Sequence, residues 1–295
     1  MINKYEAHLR EEKCMAERSV RDYMMVAREI SGKFDVTQGL TYKQINDSVA
    51  DLKARLKWSQ GTVYKYSICV RHFFKWLQRE GYRQDNPYAF TEWRKPRPGT
   101  PKFLTQEQFD ALTEDPLLSA QELTFLWLLW DTGARIGEIA QLKQSNIDLI
   151  KKTVTIPYEI SKGHYSHRVI PIGDRCADLL LTQFAKLQKA KLTDCVFISN
   201  GRTPMTKSGL QKKVAAIGMR KSLFRDEIRL SSKMFRHSCV IRWLKQKVPA
   251  LVISKWMGHS DPKMTLRYLN MIAEDCREVY DQYCAPVIQS AHHRP

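Results

Sequence analysis

The sequence lacks the cysteine patterns that hold metal ions or disulfide frameworks. Its seven cysteines stand at positions 14, 69, 176, 195, 239, 276 and 284, and no two of them form a C-x-x-C pair. Structural zinc sites need cysteine or histidine ligands at short, paired spacing, and no such spacing occurs. The pattern excludes a zinc-finger type of protein and predicts reduced, mostly buried thiols, as in the cytoplasm.

Long apolar segments and nucleotide-binding motifs are also missing. The longest apolar run, Phe125 to Trp130, is far too short to span a bilayer. No Walker-type glycine loop, carboxylate triad for magnesium or Gly-x-Ser-x-Gly elbow stands out. The sequence therefore disfavours metal-cluster nucleases, polymerases and serine hydrolases. We expect a cytoplasmic protein with no membrane partner and no metal site.

Acidic residues are scarce, and their distribution is uneven. The 48 Lys and Arg outnumber the 31 Asp and Glu, so the formal net charge is +17. Between Asp51 and Glu80 no acidic residue occurs. The basic residues of that stretch are Lys53, Arg55, Lys57, Lys65, Arg71, Lys75 and Arg79. An excess of positive charge attracts polyanions, so we predict that these side chains contact DNA phosphates. The alternative is a basic face that is only exposed to solvent.

The first 87 residues predict a group of short helices. Apolar residues recur at helical spacing from Tyr5 to about Pro87, and the clearest helix extends from about Gly61 to Glu80. Helix-breaking residues interrupt the pattern at positions 31–32, 37–41, 59–61 and 85–87. We therefore predict four or five short helices, which form a DNA-clamping domain at residues 1–92.

A linker and a second domain follow. Residues 93–101 hold three prolines and a glycine among basic residues and cannot sustain a helix. Thr105 and Gln108 have the spacing of a capping box, which opens a helix. Further on, Thr153–Ile156 and Arg168–Ile172 flank a loop and predict a β-hairpin. The predicted fold is mainly α with a small β-sheet, and the second domain is placed at residues 102–295.

Residues suited to holding a phosphate occur in two clusters of the second domain. Arg135 follows Gly133 at the start of a predicted helix, and Glu138 lies one turn further on, where it can orient the arginine. Arg236 lies one turn after Lys233, so both can address one phosphate. A guanidinium donates two hydrogen bonds to a phosphate and stays charged, which suits it to stabilise the charge of a transition state.

The order and spacing of these residues resemble the catalytic signature of the tyrosine recombinase (phage integrase) family. In that family an arginine, a lysine in a β-hairpin, H-x-x-R, G-H and a tyrosine follow one another. The matching residues here are Arg135, Lys162, Arg236, His259 in Gly-His-Ser, and Tyr268, nine residues after that histidine. One position departs from the pattern, because Lys233 stands where the first histidine of H-x-x-R is expected.

The resemblance implies an Xer-like, two-domain site-specific recombinase. It implies a helical SAM-like core-binding domain, an α+β catalytic domain, and a double-stranded DNA recombination site as partner. Tyr268 is expected to form a 3′-phosphotyrosyl link, with Lys162 as general acid. The residues expected to hold the phosphate are Arg135, Lys233, Arg236 and His259. No metal or nucleotide cofactor is expected, because the covalent link conserves the phosphodiester energy.

Two other functions stay open at this point. A type IB topoisomerase uses similar chemistry, although the small size and two-domain pattern disfavour it. A catalytically silent DNA-binding protein of the same fold is favoured by Lys233, because lysine is a poorer proton acceptor than histidine. Tyr280 and Tyr283 are rival nucleophiles. The biological role, whether chromosome-dimer resolution, plasmid maintenance or integration of a mobile element, is also open.

Apolar residues recur at helical spacing after Tyr268. They are Ile272, Cys276, Val279, Tyr280 and Tyr283. The stripe fits packing on its own domain as well as docking on another subunit. The resemblance favours the second, because similar recombinases pass a C-terminal helix to the next protomer, and it implies a synaptic tetramer on two DNA sites.

Overall fold

The computed structural model describes residues 1–89, 95–97, 99–161, 167–189, 194–199, 203–220 and 229–271. The chain divides into two compact units, Met1–Gly99 and Thr100–Pro295, and each has its own hydrophobic core. Within the described residues, no helix is both long and apolar enough to cross a membrane.

The first unit is helical. Its elements are α1 (Ile2–Ala7), a π-helical turn (His8–Glu12), α2 (Glu17–Lys33), α3 (Tyr42–Arg55) and α4 (Gln60–Arg79). The side chains of Thr41 and Ser59 accept hydrogen bonds from backbone N–H groups in the first turns of α3 and α4, which fixes where these helices begin. The prediction for α4 is correct to within one residue at each end.

One sequence prediction for this unit is wrong in detail. Helix α2 continues through the expected break at residues 31–32 to Lys33. Its buried apolar residues, which include Met24, Ala27 and Ile30, lie in one core with those of α4. The free energy gained by burying that face outweighs the cost of one glycine in the last turn, which is on the order of 1 kcal/mol.

The second unit combines helices with a small sheet. Its elements are α5 (Gln106–Thr113), α6 (Ala120–Thr132), α7 (Ile136–Ile139), a 3-10 turn (Gln144–Asn146), β1 (Ile147–Asp148), β2 (Thr153–Ile156), β3 (Arg168–Pro171), α8 (Asp174–Lys189), α9 (Lys207–Arg220), α10 (Ser232–Lys245), α11 (Ala250–Met257), α12 (Lys263–Leu266) and a 3-10 turn (Leu269–Met271). The predicted capping box at Thr105 is present, and its Oγ1 accepts from the N–H of Gln108.

The predicted β-hairpin is also present. Strands β2 and β3 pair in antiparallel register, with Val154 opposite Ile170, and β1 extends the sheet in the order β1-β2-β3. Val154, Ile156 and Ile170 are buried, because alternate residues of a strand face the same side. Strand β1 was not predicted, since its two residues are too few to show an alternating pattern.

Helices α6, α10 and α11 meet in the core and bring their ends together. The guanidinium of Arg242 in α10 lies 4.5 Å from the ring centroid of Trp130 in α6, and it donates to the carbonyl of Trp130 at 2.9 Å. Trp243 in α10 packs edge-on against Trp256 in α11, with ring centroids 5.0 Å apart. These contacts pack the end of α6 and the end of α11 against α10.

Candidate active site

The end of α6 passes very close to its neighbours at Gly133. This residue has φ 54° and ends the helix in the left-handed region. A Cβ added there would lie 2.4 Å from Cε of Met257 and 3.1 Å from Cβ of Cys239. Glycine meets both requirements, the backbone conformation and the missing side chain. The close approach places the following arginine, Arg135, next to α10 and α11.

Arg135 is held by hydrogen bonds at both ends of the residue. Its backbone N–H donates to Oε2 of Glu138 at 2.7 Å, and its Nη1 donates to Oε1 of the same carboxylate at 3.0 Å. Its Nη2 donates to the carbonyl of Gly258 at 3.1 Å. Glu138 thus binds both the backbone and the guanidinium of Arg135. The side chain of Arg135 keeps 28% of its surface exposed, so one face stays open to a ligand.

Arg168 is a second partner of Glu138 that the sequence analysis missed. It is fully buried in β3, and its Nη2 donates to Oε2 of Glu138 at 2.6 Å while its Nε donates to the carbonyl of Trp256 at 2.8 Å. Burial opposes ionisation of Glu138, but Arg168 and Arg135 together hold its pKa below the ordinary value. The available signal was register, because Arg168 shares the inward-facing side of β3 with Ile170.

Arg236 lies in the second turn of α10, and its guanidinium reaches the ends of α6 and α11. Its Nη1 donates to the carbonyl of Gly133 at 2.8 Å, and its Nη2 donates to the carbonyl of Met257 at 2.6 Å. Burial and the nearby Arg135 lower the pKa of Arg236 to about 10, which still leaves it charged at neutral pH. Both arginines of the predicted signature are therefore fixed on backbone carbonyls around Gly133 and Gly258.

His259 follows the left-handed Gly258 that ends α11. Its Nδ1 shares a hydrogen bond of 2.8 Å with the hydroxyl of the buried Thr265, which fixes the ring. Burial, followed by the charges of Arg236 and Arg135, lowers the pKa of His259 to about 4, so the imidazole is neutral at pH 7. His259 thus lies within reach of the charges of Arg236, Arg135 and Arg168.

Tyr268 follows α12 and is buried, with 5% of its surface exposed. Its hydroxyl lies 2.5 Å from Nδ1 of His237, and the two rings have centroids 5.6 Å apart. Burial raises the pKa of Tyr268, and the charges of Arg236 and Arg267 oppose part of that rise. His237 was not assigned a role from the sequence, although it stands next to Arg236 in the chain.

The remaining predicted residues are Lys233, which the structure describes, and several that lie outside the described residues. Lys233 is exposed in the first turn of α10, close enough for its charge to lower the pKa of His237. Lys162, the rival nucleophiles Tyr280 and Tyr283, and the apolar stripe of residues 272–283 lie outside the described residues. Within the described part of the chain, no group of three or more His, Cys, Asp or Glu side chains could hold a metal ion.

The seven basic residues predicted to contact DNA are all exposed in the first unit. They do not form one uniform positive surface. Nη2 of Arg55 lies 2.5 Å from Oε1 of Glu29, and Nζ of Lys65 lies 2.5 Å from Oδ2 of Asp22. Arg79 also pairs with carboxylates. The acid-free stretch of sequence is therefore partly neutralised in space, chiefly by carboxylates of α2.

Comparison with known proteins agrees with this geometry. The chain matches the family model "Phage integrase family" over residues 102–274 and "Phage integrase, N-terminal SAM-like domain" over residues 2–81. Tyrosine recombinase XerD of Staphylococcus haemolyticus is 25% identical over 299 residues, which cover 96% of this chain and 98% of that protein. XerD of Staphylococcus aureus (strain N315) is 24% identical over 233 residues, covering 76% of this chain and 77% of that protein.

Solved structures share the fold. The Tn1549 transposon integrase in complex with transposon right end DNA has a TM-score of 0.76 at 14% identity and covers 96% of this chain and 98% of that chain. A lambda integrase dimer bound to a COC′ core site has a TM-score of 0.70 at 15% identity, covering 90% of this chain and 75% of that chain. The chain therefore belongs to the phage integrase family: it is a tyrosine recombinase, an enzyme that breaks and rejoins DNA.

Proposed function

We propose that this site-specific recombinase cuts DNA with Tyr268 as nucleophile, on a phosphate held by Arg135, Arg236 and His259. The observation that supports it best is the convergence of two fixed guanidinium groups. Arg135 precedes α7 and Arg236 lies in α10, yet both donate to carbonyls in the segments around Gly133 and Gly258. The charges of Arg236 and Arg135 lower the pKa of His259, and the charge of Arg236 opposes the rise in the pKa of Tyr268.

The electrostatics of the proposed site suit a phosphate in its transition state. Three arginines, Arg135, Arg168 and Arg236, surround the carboxylate of Glu138, so positive charge is in excess among the described residues. During attack the non-bridging oxygens gain negative charge, and cations that are already oriented stabilise that charge without reorganisation. Because Arg135 and Arg236 are anchored before DNA binds, they stabilise the transition state more than a mobile side chain would.

The proposed reaction is a transfer of the phosphate to the enzyme. The phenolic oxygen of Tyr268 bonds to phosphorus, the bond to the 5′ oxygen breaks, and a 3′-phosphotyrosyl link and a 5′ hydroxyl result. We assign Lys162 as the acid that protonates the departing oxygen and Lys233 as a phosphate contact, because an ammonium group donates hydrogen bonds and accepts none. Attack by another 5′ hydroxyl reverses the step and completes strand exchange.

We further propose that residues 1–92 clamp the DNA duplex and that four protomers assemble on two sites. The basic residues of α3 and α4 support the first part, since phosphate contacts supply much of the affinity of DNA-binding proteins. The lambda integrase of similar fold is a dimer bound to a core site, which supports assembly on DNA. We propose the cytoplasm as the compartment of this protein, which fits a DNA substrate and the reduced thiols expected from the cysteine pattern.

The nucleophile assignment has a direct test. In a duplex nicked a few nucleotides to the 3′ side of the scissile phosphate, cleavage releases a short fragment that carries the 5′ hydroxyl, so the covalent protein–DNA adduct accumulates and can be counted on a denaturing gel. Tyr268→Phe should bind this duplex as the parent does and form no adduct. Tyr280→Phe and Tyr283→Phe are the matched controls and should form it. An adduct that survives in Tyr268→Phe and disappears in Tyr280→Phe would overturn the assignment.

A further inference from the structure

His237 contacts the hydroxyl group of the proposed nucleophile. Its Nδ1 lies 2.5 Å from the phenolic oxygen of Tyr268, within hydrogen-bond reach. His237 follows Arg236 in α10. The same helix therefore carries one of the arginines proposed to hold the phosphate and the hydrogen-bond partner of the proposed nucleophile. The tyrosine is buried, with 5% of its surface exposed, which keeps bulk water away from its proton.

The surroundings of His237 keep its imidazole neutral. The charged groups that face it are Lys233 and Arg236 from α10 and Arg267 from the segment after α12, and all three are cations. Burial, followed by these three charges, lowers the pKa of His237 to about 4. At neutral pH the ring therefore has one N–H and one lone pair, and the tautomer protonated on Nε2 directs the lone pair at the phenol.

Tyr268 needs such an acceptor. Its phenol must lose a proton during attack, and burial raises its pKa above the ordinary value near 10. The free phenolate is consequently a very small fraction of the enzyme at pH 7. The family's usual histidine position is taken by Lys233, whose ammonium form has no lone pair. Within the described residues, His237 is the group that is hydrogen-bonded to the phenol.

We infer that His237 is a catalytic residue, whose Nδ1 takes the phenolic proton as the oxygen of Tyr268 bonds to phosphorus. The P–O5′ bond breaks in the same step, and the 5′ oxygen receives its proton from the general acid. In rejoining, the 5′ hydroxyl attacks phosphorus, the P–O bond to Tyr268 breaks, and His237 returns the proton to the phenolate. This inference rests on the proposed role of Tyr268 as nucleophile.

Two substitutions separate proton transfer from simple positioning. His237→Ala removes the acceptor, whereas His237→Asn keeps an oxygen near the position of Nδ1 that accepts a hydrogen bond but takes no proton at neutral pH. In single-turnover cleavage of the nicked duplex at saturating protein, both variants should be slower by at least about 100-fold at pH 7, the usual size of a general-base contribution. Imidazole added to the buffer should restore part of the rate of His237→Ala.

The pH profile provides a readout that a structural role would not change. Without an internal acceptor, the cleavage rate follows the fraction of phenolate, which rises about tenfold per pH unit below the pKa of the tyrosine. The parent takes the proton within the complex and lacks this dependence. The ratio of parent to His237→Ala rates should therefore fall about tenfold per pH unit between pH 7 and 9, and titration of other groups cancels in the ratio.

A matched control exists in the other unit of the chain. There the hydroxyl of Tyr5 lies 2.8 Å from Nδ1 of His72, so His72→Asn perturbs the same kind of bond away from the chemistry. Whatever its effect on DNA affinity, the ratio of parent to His72→Asn rates at saturating protein should stay constant across pH. A parental rate in His237→Asn would overturn the inference, and so would faster cleavage in His237→Ala, which would mean that the histidine restrains the tyrosine. An adduct that persists in Tyr268→Phe would instead refute the nucleophile assignment itself.

Discussion

Glu138 is the residue on which the organisation of the arginines depends. One carboxylate oxygen binds Arg135 through Nη1, and the other accepts from the backbone N–H of Arg135 and from Nη2 of Arg168. Glu138 and Arg168 have side chains only 2% and 1% exposed, so neither charge can be rehydrated if its partner is lost. The buried pair thus fixes the orientation of Arg135, but loss of either partner would destabilise the fold.

Arg168→Met should destabilise the second unit and slow cleavage together. Removing one partner of a buried ion pair costs about 3–5 kcal/mol, and because Arg135 remains as a partner of Glu138, we expect the lower end of that range. Because Glu138 is then a poorer anchor for Arg135, the single-turnover cleavage rate should also fall. Chemical denaturation and adduct formation measure the two effects.

The control for this substitution is Lys152→Met, which breaks an ion pair with Asp174 at the surface. Exposed pairs contribute little, so stability and cleavage should stay close to those of the parent. If Arg168→Met were as stable and as active as Lys152→Met, the role assigned to the Glu138 pair would be wrong.

The buried histidines of the site predict a loss of stability in mild acid. The pKa values of His237 and His259 are lowered to about 4, whereas an unfolded histidine titrates near 6.5. Below pH 6.5 the unfolded chain therefore binds protons that the folded site refuses, and stability falls as the pH drops from 6.5 toward 4. Thermal unfolding at pH 7.5 and pH 5 should show a smaller decrease in Tm for a His237→Asn, His259→Asn double variant than for the parent.

The exposed His167 supplies the comparison for that experiment. His167→Asn should lose as much Tm between the two pH values as the parent does. An equal loss in the double variant and the parent would show that the two buried histidines do not set the acid limit.

At the residue scale, sequence spacing was informative only for local pairs. The contact between Arg135 and Glu138 follows from a separation of three residues, whereas Arg168 reaches the same carboxylate from 30 residues away. His237 contacts Tyr268 across 31 residues, and the two side chains meet only because the segment that follows α12 packs beside α10. Contacts of this kind depend on tertiary structure, which no spacing rule supplies.

Among the elements, those with strong local signals were predicted best. The capping box of α5, the apolar face of α4 and the alternation of β2 and β3 are each written in a few consecutive residues. The break expected at Gly32 failed because α2 is held by its packing on α4 rather than by intrinsic propensity. The ion pairs that α2 makes with Arg55 and Lys65 were equally invisible in the sequence.

Ion pairs divide six of the seven basic residues between positions 53 and 79 into two groups with different expected effects. Lys53, Lys57 and Lys75 form no ion pair within the described residues. Each phosphate contact contributes about 0.9 to the slope of log affinity against log salt. Replacing these three lysines with glutamine should therefore reduce that slope by about 2–3, as measured by DNA binding between 50 and 200 mM salt.

The matched set is Arg55, Lys65 and Arg79, also replaced with glutamine. These side chains are already held by carboxylates such as Glu29 and Asp22, so contact with a phosphate would require an ion pair to open. The slope should change less than in the first set. Equal slopes for both triple variants and the parent would contradict the assignment of this face to DNA.

At the scale of the whole molecule, each unit has its own core, so substitutions in one are expected to leave the fold of the other intact. The net charge of +17 is distributed over both, and the family models match a helical domain at residues 2–81 and a catalytic domain at residues 102–274. Because both units carry an excess of basic residues, we expect both to contribute to DNA affinity.

The last residues are predicted to act between protomers. Met271 packs against the core of the second unit. A deletion of residues 272–295 therefore keeps every described residue of that core. We predict that the apolar stripe at Ile272, Cys276, Val279, Tyr280 and Tyr283 docks on the neighbouring subunit, since a head-to-tail exchange of this kind would close a ring. The truncated protein should fold, bind a single site and form the Tyr268 adduct, yet fail to assemble complexes of two duplexes.

Native gels with two differently sized duplexes measure that assembly, and thermal unfolding measures the fold. Val279→Asp in the full chain is the sharper variant, because it keeps the length and charges only the stripe. It should cleave the nicked duplex normally, since each active site is intact, and it should recombine poorly, since a buried unpaired carboxylate opposes docking. Unfolding of the truncated protein, or normal recombination by Val279→Asp, would show that the segment packs on its own subunit or on nothing, and the proposed tetramer would then need another interface.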